Sequence, residues 1–471
     1  MLTTISEQVK NTNSQQTWLT KFKTTLASSL LLLTTSQTIY ADESLGHFSQ
    51  TYTPQQILAD INQWENFLHS THPNLAHSVE NIDDFYTQLD SLRGSIKTPM
   101  TGQALWRELA KLNATMADGH LSFDDGKNAQ WRAWIKDGVQ LFPLEVVVNN
   151  QGLFVKSTLG GDANTYQGKQ ISQINGIPAS TVTEELLQRI EGDNLAFRQA
   201  LLSRRFAMTY RLVYGAKENF NLKFKDSETT VTLNALNQQP ESIQSKPFEH
   251  YFNLQMLDNK QAILTVKTFG WDEPKKYFDF MAEAFQKLNA NQVEHLLIDI
   301  SENTGGDDEY WMAGILRYIA QKPYKQGSDY SAKILAKYRD PGEVVGTVVT
   351  GSLSRMIKPE TDKSKLFKGQ VNVLTGPLTY SSAVLFANTI QDHKFATLIG
   401  APTGGRSTQS GGIQFLTLRN TQIRAVVPRF ILARPSGNQQ MTPVQPDIEL
   451  TINPFNRAQT LADALSHSSK L

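Results

Sequence analysis

Apolar residues in this chain change their spacing twice, and each change marks a different kind of structure. Between Gln55 and Leu68, the side chains of Ile57, Leu58, Ile61, Trp64 and Leu68 fall on one face of a helix. Thr53-Pro54 ahead of them offers a capping threonine and a first-turn proline, which predicts the helix start. Leu105, Leu109, Leu112 and Met116 repeat the helical spacing, so residues 48–118 read as about three or four helices. From Gln140 to about Leu236 the pattern becomes that of short strands. Phe142 to Val148 and Gly152 to Lys156 flank the hairpin-type turn Asn149-Asn150-Gln151. Gly168 to Gly176 follows, and then a helix over Val182 to Ile190.

Residues 250–460 alternate apolar strand runs with helical periods. Strands are predicted at 261–268, 295–300, 371–374, 397–399 and 424–427, and helices at 274–288, 309–320 and 381–392. Runs as apolar as Leu296-Leu297-Ile298 argue for a sheet covered on both faces, and hence for an α/β architecture. The stretch 320–370 is polar and loop-rich, an insertion placed to border a cleft.

Length and composition narrow the class. A chain of 471 residues is too long for one core and suggests roughly three domains. Lys+Arg and Asp+Glu are equal at 45 each, which gives no support to a nucleic-acid partner. Residues 18–41 follow an export-signal pattern: Lys21 and Lys23, the apolar run Leu26 to Leu33, then Ile39-Tyr40-Ala41. That run is well short of the roughly 20 residues needed to span a bilayer, so removal after Ala41 is expected and no stable membrane anchor remains. The chain has no cysteine, which excludes disulfides, thiolate catalysis and cysteine-zinc sites. Export without disulfides fits a periplasmic or secreted protein.

Three turns could carry chemistry. Thr379-Tyr380-Ser381-Ser382-Ala383 lies between a strand and a helix, where a serine hydroxyl is exposed and neighbouring N–H groups are unpaired. Asn303-Thr304-Gly305-Gly306 ends another strand, and its glycines can present N–H groups to an oxyanion beside that of Ser382. Asp118-Gly119-His120 sets an imidazole just after a turn; of nine histidines, it alone has such a context. Gly404-Gly405-Arg406, with Gly411-Gly412 beyond, could line a cleft beside Ser381. It lacks the Lys-Ser/Thr pair of a phosphate loop. No metal-ligand spacing is present, and no cofactor is called for.

Taken in order, these segments resemble the C-terminal-processing and tricorn-type family of serine peptidases, also called tail-specific proteases. The matching residues are Asp118-Gly119-His120, Leu297-Ile298-Asp299 with Asn303 to Gly306, and Thr379 to Ala383. Ala396 to Gly400 with Thr403-Gly404-Gly405 follow, and Val444-Gln445-Pro446-Asp447-Ile448 resembles that family's closing strand start. The set extends from about residue 105 to residue 450. After the signal peptide expected at 1–41 and an N-terminal helical domain at 42–135, it implies a PDZ-like β-rich domain at 136–240 and a Clp-protease/crotonase-like core at 241–471. Gly168 to Pro178 is similar to a PDZ segment ending in an Asn-Gly turn, a module that holds an extended peptide as an added strand.

The departures select a branch. Where Ser-Lys members carry their lysine base this chain has Arg406, and a guanidinium stays protonated. The resemblance then implies the branch whose base is the histidine, here His120. A glutamate present in many members just after the nucleophile is Val384. The glutamate that orients the histidine in tricorn-like enzymes has Gln440 as its nearest match, with Asp118 and Glu302 as alternative carboxylates. The expected protein is an exported serine hydrolase acting on peptides or proteins, with Ser381 as nucleophile, His120 as base, and Ser382 with Gly305 or Gly306 as oxyanion donors. A non-catalytic peptide- or ligand-binding protein on the same fold, or an esterase, are the rival expectations.

Overall fold

The computed structural model describes residues 45–258 and 260–468, so the leader expected over residues 1–41 lies outside the described residues. Thr53 opens the helix Pro54–Thr71 with a reciprocal cap: its hydroxyl accepts from Gln56 N–H while the Gln56 side chain accepts from Thr53 N–H. Ile57, Ile61, Trp64 and Leu68 are buried along its inner face. Helices Ile82–Ser95, Gly102–Leu109 and Leu112–Thr115 complete the helical region. The chain then passes His120 and enters the two-residue strand Ser122–Phe123.

Strands Leu144–Asn149, Gly152–Thr158, Gln170–Ile174, Asn219–Phe224 and Thr230–Asn234 form an antiparallel sheet in that order. Asn175 and Gly176, with φ of 52° and 79°, make the two-residue turn back to Ile177–Pro178. The predicted helix over 182–190 is observed at Ala179–Leu187. A second helix, the 20-residue Leu195–Tyr214, departs from the strand-rich expectation for this region. Its buried side chains form an unbroken run from Phe206 to Val213, so no clean amphipathic stripe announces it. One hydrophobic cluster runs through these helices and this sheet and reaches Tyr380.

The remaining chain builds a six-stranded sheet in the order Phe252–Met256, Gln261–Val266, His295–Asp299, Gln370–Thr375, Thr397–Gly400, Ile448–Glu449. The first pair is antiparallel and all others are parallel. Helices Pro274–Ala290 and Ser382–His393 cover one face, while Arg457–Ser468 covers the other. The helix expected at 309–320 is instead Asp308–Trp311, a π-helical turn Met312–Leu316, and Arg317–Ile319. Parallel strands all point their C-terminal ends one way, so the loops after Asp299, Thr375 and Gly400 gather at one edge.

Two smaller sheets bring distant segments to that edge. Arg424–Val427 does not join the main sheet; it pairs with Gln414–Thr417 and with Ser122–Phe123, which fastens the chain just beyond His120 to the C-terminal half. Gln409–Gly411 pairs with Phe430–Leu432, which in turn pairs with Asp329–Lys333 and so with Val348–Ser352. The last two strands lie within the stretch expected to be loop.

Candidate active site

After the strand Gln370–Thr375 the chain is pinned before it turns. The Thr379 hydroxyl donates to Ile300 O at 3.0 Å, and Tyr380 N–H donates to Asn303 O at 3.0 Å. Ser381 then sits at φ 56° and ψ −126°, a conformation costly for any residue but glycine, and helix Ser382–His393 begins. Its carbonyl is held by Val384 N–H at 2.8 Å, Leu385 N–H at 3.2 Å and Gln409 Nε2 at 3.0 Å. The Ser381 hydroxyl does not cap the helix. It lies 2.9 Å from Nε2 of His120, a residue 261 positions earlier in the chain.

The imidazole is almost fully buried, and its other nitrogen is enclosed by hydroxyls. Nδ1 lies 3.1 Å from Ser410 Oγ and 3.3 Å from Tyr380 Oη. Ser410 donates to Asp118 Oδ1 at 2.9 Å, whereas Asp118 itself stands 3.9 Å from Nδ1, so the carboxylate reaches the ring through a serine. Asp118 also accepts from the His120 backbone N–H at 2.8 Å and, through Oδ2, from Ser78 at 2.5 Å. Ser78 is 2.8 Å from His72 Nε2. His72 Nδ1 accepts from Asn74 N–H at 3.2 Å, which leaves the proton of a neutral ring on Nε2.

Burial alone pushes the Asp118 carboxyl up, but the facing His120 and the bonds from Ser78 and the His120 N–H hold it below the ordinary value. Burial drives the His72 imidazole down to about 4, against the pull of Asp118, so this histidine is neutral near neutral pH. A second carboxylate, Asp193, accepts from Tyr380 Oη at 2.8 Å, Gly119 N–H at 2.9 Å and Arg406 N–H at 3.0 Å. Burial, and then the charge of Asp118, raises its pKa. Gly119 has no room for a side chain, because a Cβ there would lie 2.6 Å from Tyr380 Oη.

The other sequence candidates fall as follows. Arg406 does not serve as a base: its guanidinium donates to His77 O at 2.9 Å and Ala117 O at 2.7 Å, tying down the turn that carries Asp118 and His120. Glu302 pairs with Lys267 and Arg457, both at 2.9 Å. Those cations outweigh burial and hold its carboxyl at about 2. Glu302 is therefore occupied in an ion-pair cluster, and of the two alternative carboxylates Asp118 is the one at the imidazole. Gln440 is exposed, its side-chain oxygen paired with Asn438 at 3.5 Å, and it does not reach the ring. The expectation that it orients His120 is corrected: Ser410 and Tyr380 occupy Nδ1. Val384 is buried within its helix.

Gly305 packs directly under the serine, but its N–H donates to Asn303 Oδ1 at 2.8 Å. The N–H groups of Gly306 and Ser382 have no hydrogen-bond partner among the described residues, and Gly306 is exposed. Two unpaired donors thus flank an exposed edge beside Ser381. Ser410, Ser78, His72 and Asp193 were not singled out by the sequence for this centre. The only signal for Ser410 is its place just past the Gly404-Gly405 loop, immediately before Gly411-Gly412. Among the described residues, no group of three His, Cys, Asp or Glu side chains could hold a metal ion. No described helix is long and apolar enough to cross a membrane.

Residues 260–450 match the family described as Peptidase family S41. No curated protein matches the sequence. Among solved structures, mature CPAF superposes with a TM-score of 0.62 at 14% identity, covering 88% of this chain and 95% of that one. Mature CPAF complexed with lactacystin gives 0.63 at 14% identity, with 88% and 96% covered. A CPAF mutant gives 0.65 at the same identity and coverage. At this identity the likeness speaks for a shared fold.

Proposed function

Because the chain belongs to peptidase family S41 and is a serine-type peptidase, we propose that Ser381 is its nucleophile and His120 its general base. The observation that carries this is the 2.9 Å contact between Ser381 Oγ and His120 Nε2. For Nε2 to accept the serine proton, Nδ1 must carry the ring proton and donate it to the oxygens of Ser410 and Tyr380. Both oxygens are free to accept, since their own hydrogens go to Asp118 and Asp193. Every donor in the chain from His72 through Ser78 to Asp118, and from His120 through Ser410 to Asp118, then points toward one carboxylate. As Ser381 attacks the peptide carbonyl, the proton moves to Nε2 and the imidazolium faces that buried negative charge. His120 next delivers the proton to the leaving amine, and water releases the acyl group by the same route reversed.

The tetrahedral oxyanion is held by the N–H groups of Gly306 and Ser382. Their lack of other partners, and the anchoring of Gly305 by Asn303, support this assignment over Gly305. The parallel sheet and its helices at 241–471 act as the Clp-protease/crotonase-like core, with the helical domain at 42–135 supplying the base. Residues 136–240 are a PDZ-like domain, a role supported by the antiparallel sheet and its Asn175-Gly176 turn. Such a sheet holds substrate as an extended strand. Export through the 1–41 leader places the enzyme in the periplasm or outside the cell.

Turnover of internally quenched peptides of increasing length, set against aryl esters, tests the substrate class. Peptides are expected to be cleaved with kcat/KM rising with length. An enzyme that turned over esters and left every peptide intact would contradict the proposal.

A further inference from the structure

The two oxyanion donors sit on separate segments, and something must fix the gap between them. Gly306 lies on the loop that follows His295–Asp299, whereas Ser382 opens a helix that follows Gln370–Thr375. On one side the glycine loop is bound to Phe269, through Phe269 N–H to Gly305 O at 2.9 Å and Asp307 N–H to Phe269 O at 2.7 Å. On the other side the next residue, Asp308, reaches across to the serine helix. Ser382 Oγ donates to Asp308 Oδ1 at 2.5 Å. Trp311 Nε1, fully buried, donates to both partners, at 3.1 Å to Asp308 Oδ1 and 3.0 Å to Ser382 Oγ.

Building on the assignment of Ser381 as nucleophile, we propose that Asp308 is a positioning residue for the oxyanion hole. Its carboxyl clamps the loop bearing the Gly306 N–H to the residue whose own backbone supplies the second N–H. The side chain of Ser382 is thereby given a task separate from its amide, and Trp311 closes the triangle. Asp308 also carries an electrostatic consequence. Burial raises its pKa to about 6, although the bonds from Ser382 and Trp311 oppose the rise. The charged groups felt there are Asp307 and Glu309, both acidic and both on its own segment; the serine helix meets it through Ser382. Above that pH a carboxylate stands beside the site of a developing negative charge and disfavours it.

Asp308→Ala, Asp308→Asn, Ser382→Ala and the Asp308→Ala/Ser382→Ala pair test this on a peptide substrate, with Ser381→Ala alongside. Asp308→Ala is expected to lower kcat by about tenfold or more with KM little changed, the scale of a misplaced catalytic group. Asp308→Asn keeps the acceptor and should restore most of that loss. Its kcat relative to wild type should climb as pH rises through about 6, because only wild type gains the charge. The double variant should be no worse than the poorer single one. Wild-type kcat in Asp308→Ala or additive losses in the pair would overturn the proposal. If Asp308→Ala fails to fold, Ser382→Ala decides alone: it cuts the same clamp while keeping its backbone N–H, so kcat should fall with KM little changed, and wild-type kcat would overturn the proposal. Activity surviving in Ser381→Ala would instead overturn the nucleophile assignment, so the two failures are distinct.

Discussion

Ser381→Ala and His120→Ala are each expected to lower kcat/KM on a peptide substrate by about 10⁴-fold or more, with the double variant no worse than either. In the proposed mechanism nucleophile and base act as one unit: with no hydroxyl there is nothing to deprotonate, and with no imidazole nothing accepts the proton. Neither side chain is needed for the chain to reach its fold. Ser381 makes no capping bond, and the neighbourhood of His120 is fastened by Arg406, by the Ser122–Phe123 strand pairing and by the bonds of Asp193. Circular dichroism should therefore match wild type in both variants while activity disappears; Ser381→Ala should also melt as wild type, whereas His120→Ala, which takes the imidazole from the buried Asp118, should melt lower. Independent, multiplicative losses in the double variant would show that the two residues do not share a step.

Gly305→Ala is expected to remove most of the activity with a single added methyl. An added Cβ would lie 2.6 Å from Ser381 Cβ, 2.8 Å from Tyr380 O and 3.0 Å from Ser382 N, and all three belong to the tightly pinned turn. The position also has φ of 100°, which a side chain disfavours. Relief can come only from moving the Gly306 N–H or the Ser382 N–H. Losing one oxyanion donor costs about 10²- to 10³-fold in kcat, roughly 3 kcal/mol, and displacing both should exceed that. Steady-state kinetics should show the loss in kcat, with KM changing much less. Wild-type kcat in a folded Gly305→Ala protein would mean that these amides do not stabilise the reaction.

Much of this centre is visible in the sequence because strand ends and glycine turns are local features. Ser381 between an apolar strand and a helix, the glycine pair after Asp299, and the turn before His120 each carry their signal within about six residues of chain. The residues behind His120 are a different matter. Ser410 and Ser78 reach Asp118 across separations of 292 and 40 residues, and His72 joins only through Ser78. A serine in a short strand or a histidine ending a helix looks the same whether it faces solvent or a buried carboxylate. Gln440 shows the converse: its place ahead of the Pro446-Asp447 pair suggested a partner for His120, yet in the fold its side chain is exposed. The 20-residue helix Leu195–Tyr214 escaped for a further reason, since burial on most sides removes the one-sided stripe by which helices are recognised.

The most direct measurement is covalent labelling with a fluorophosphonate, followed by mass mapping of the modified peptide. Such a reagent needs a serine whose proton is removed and whose phosphoryl oxygen is held by oxyanion donors, so it reports both halves of the site at once. The expected result is stoichiometric modification of Ser381 in wild-type protein, with the rate collapsing in His120→Ala. Modification at another residue, or equal labelling with and without the imidazole, would contradict the account.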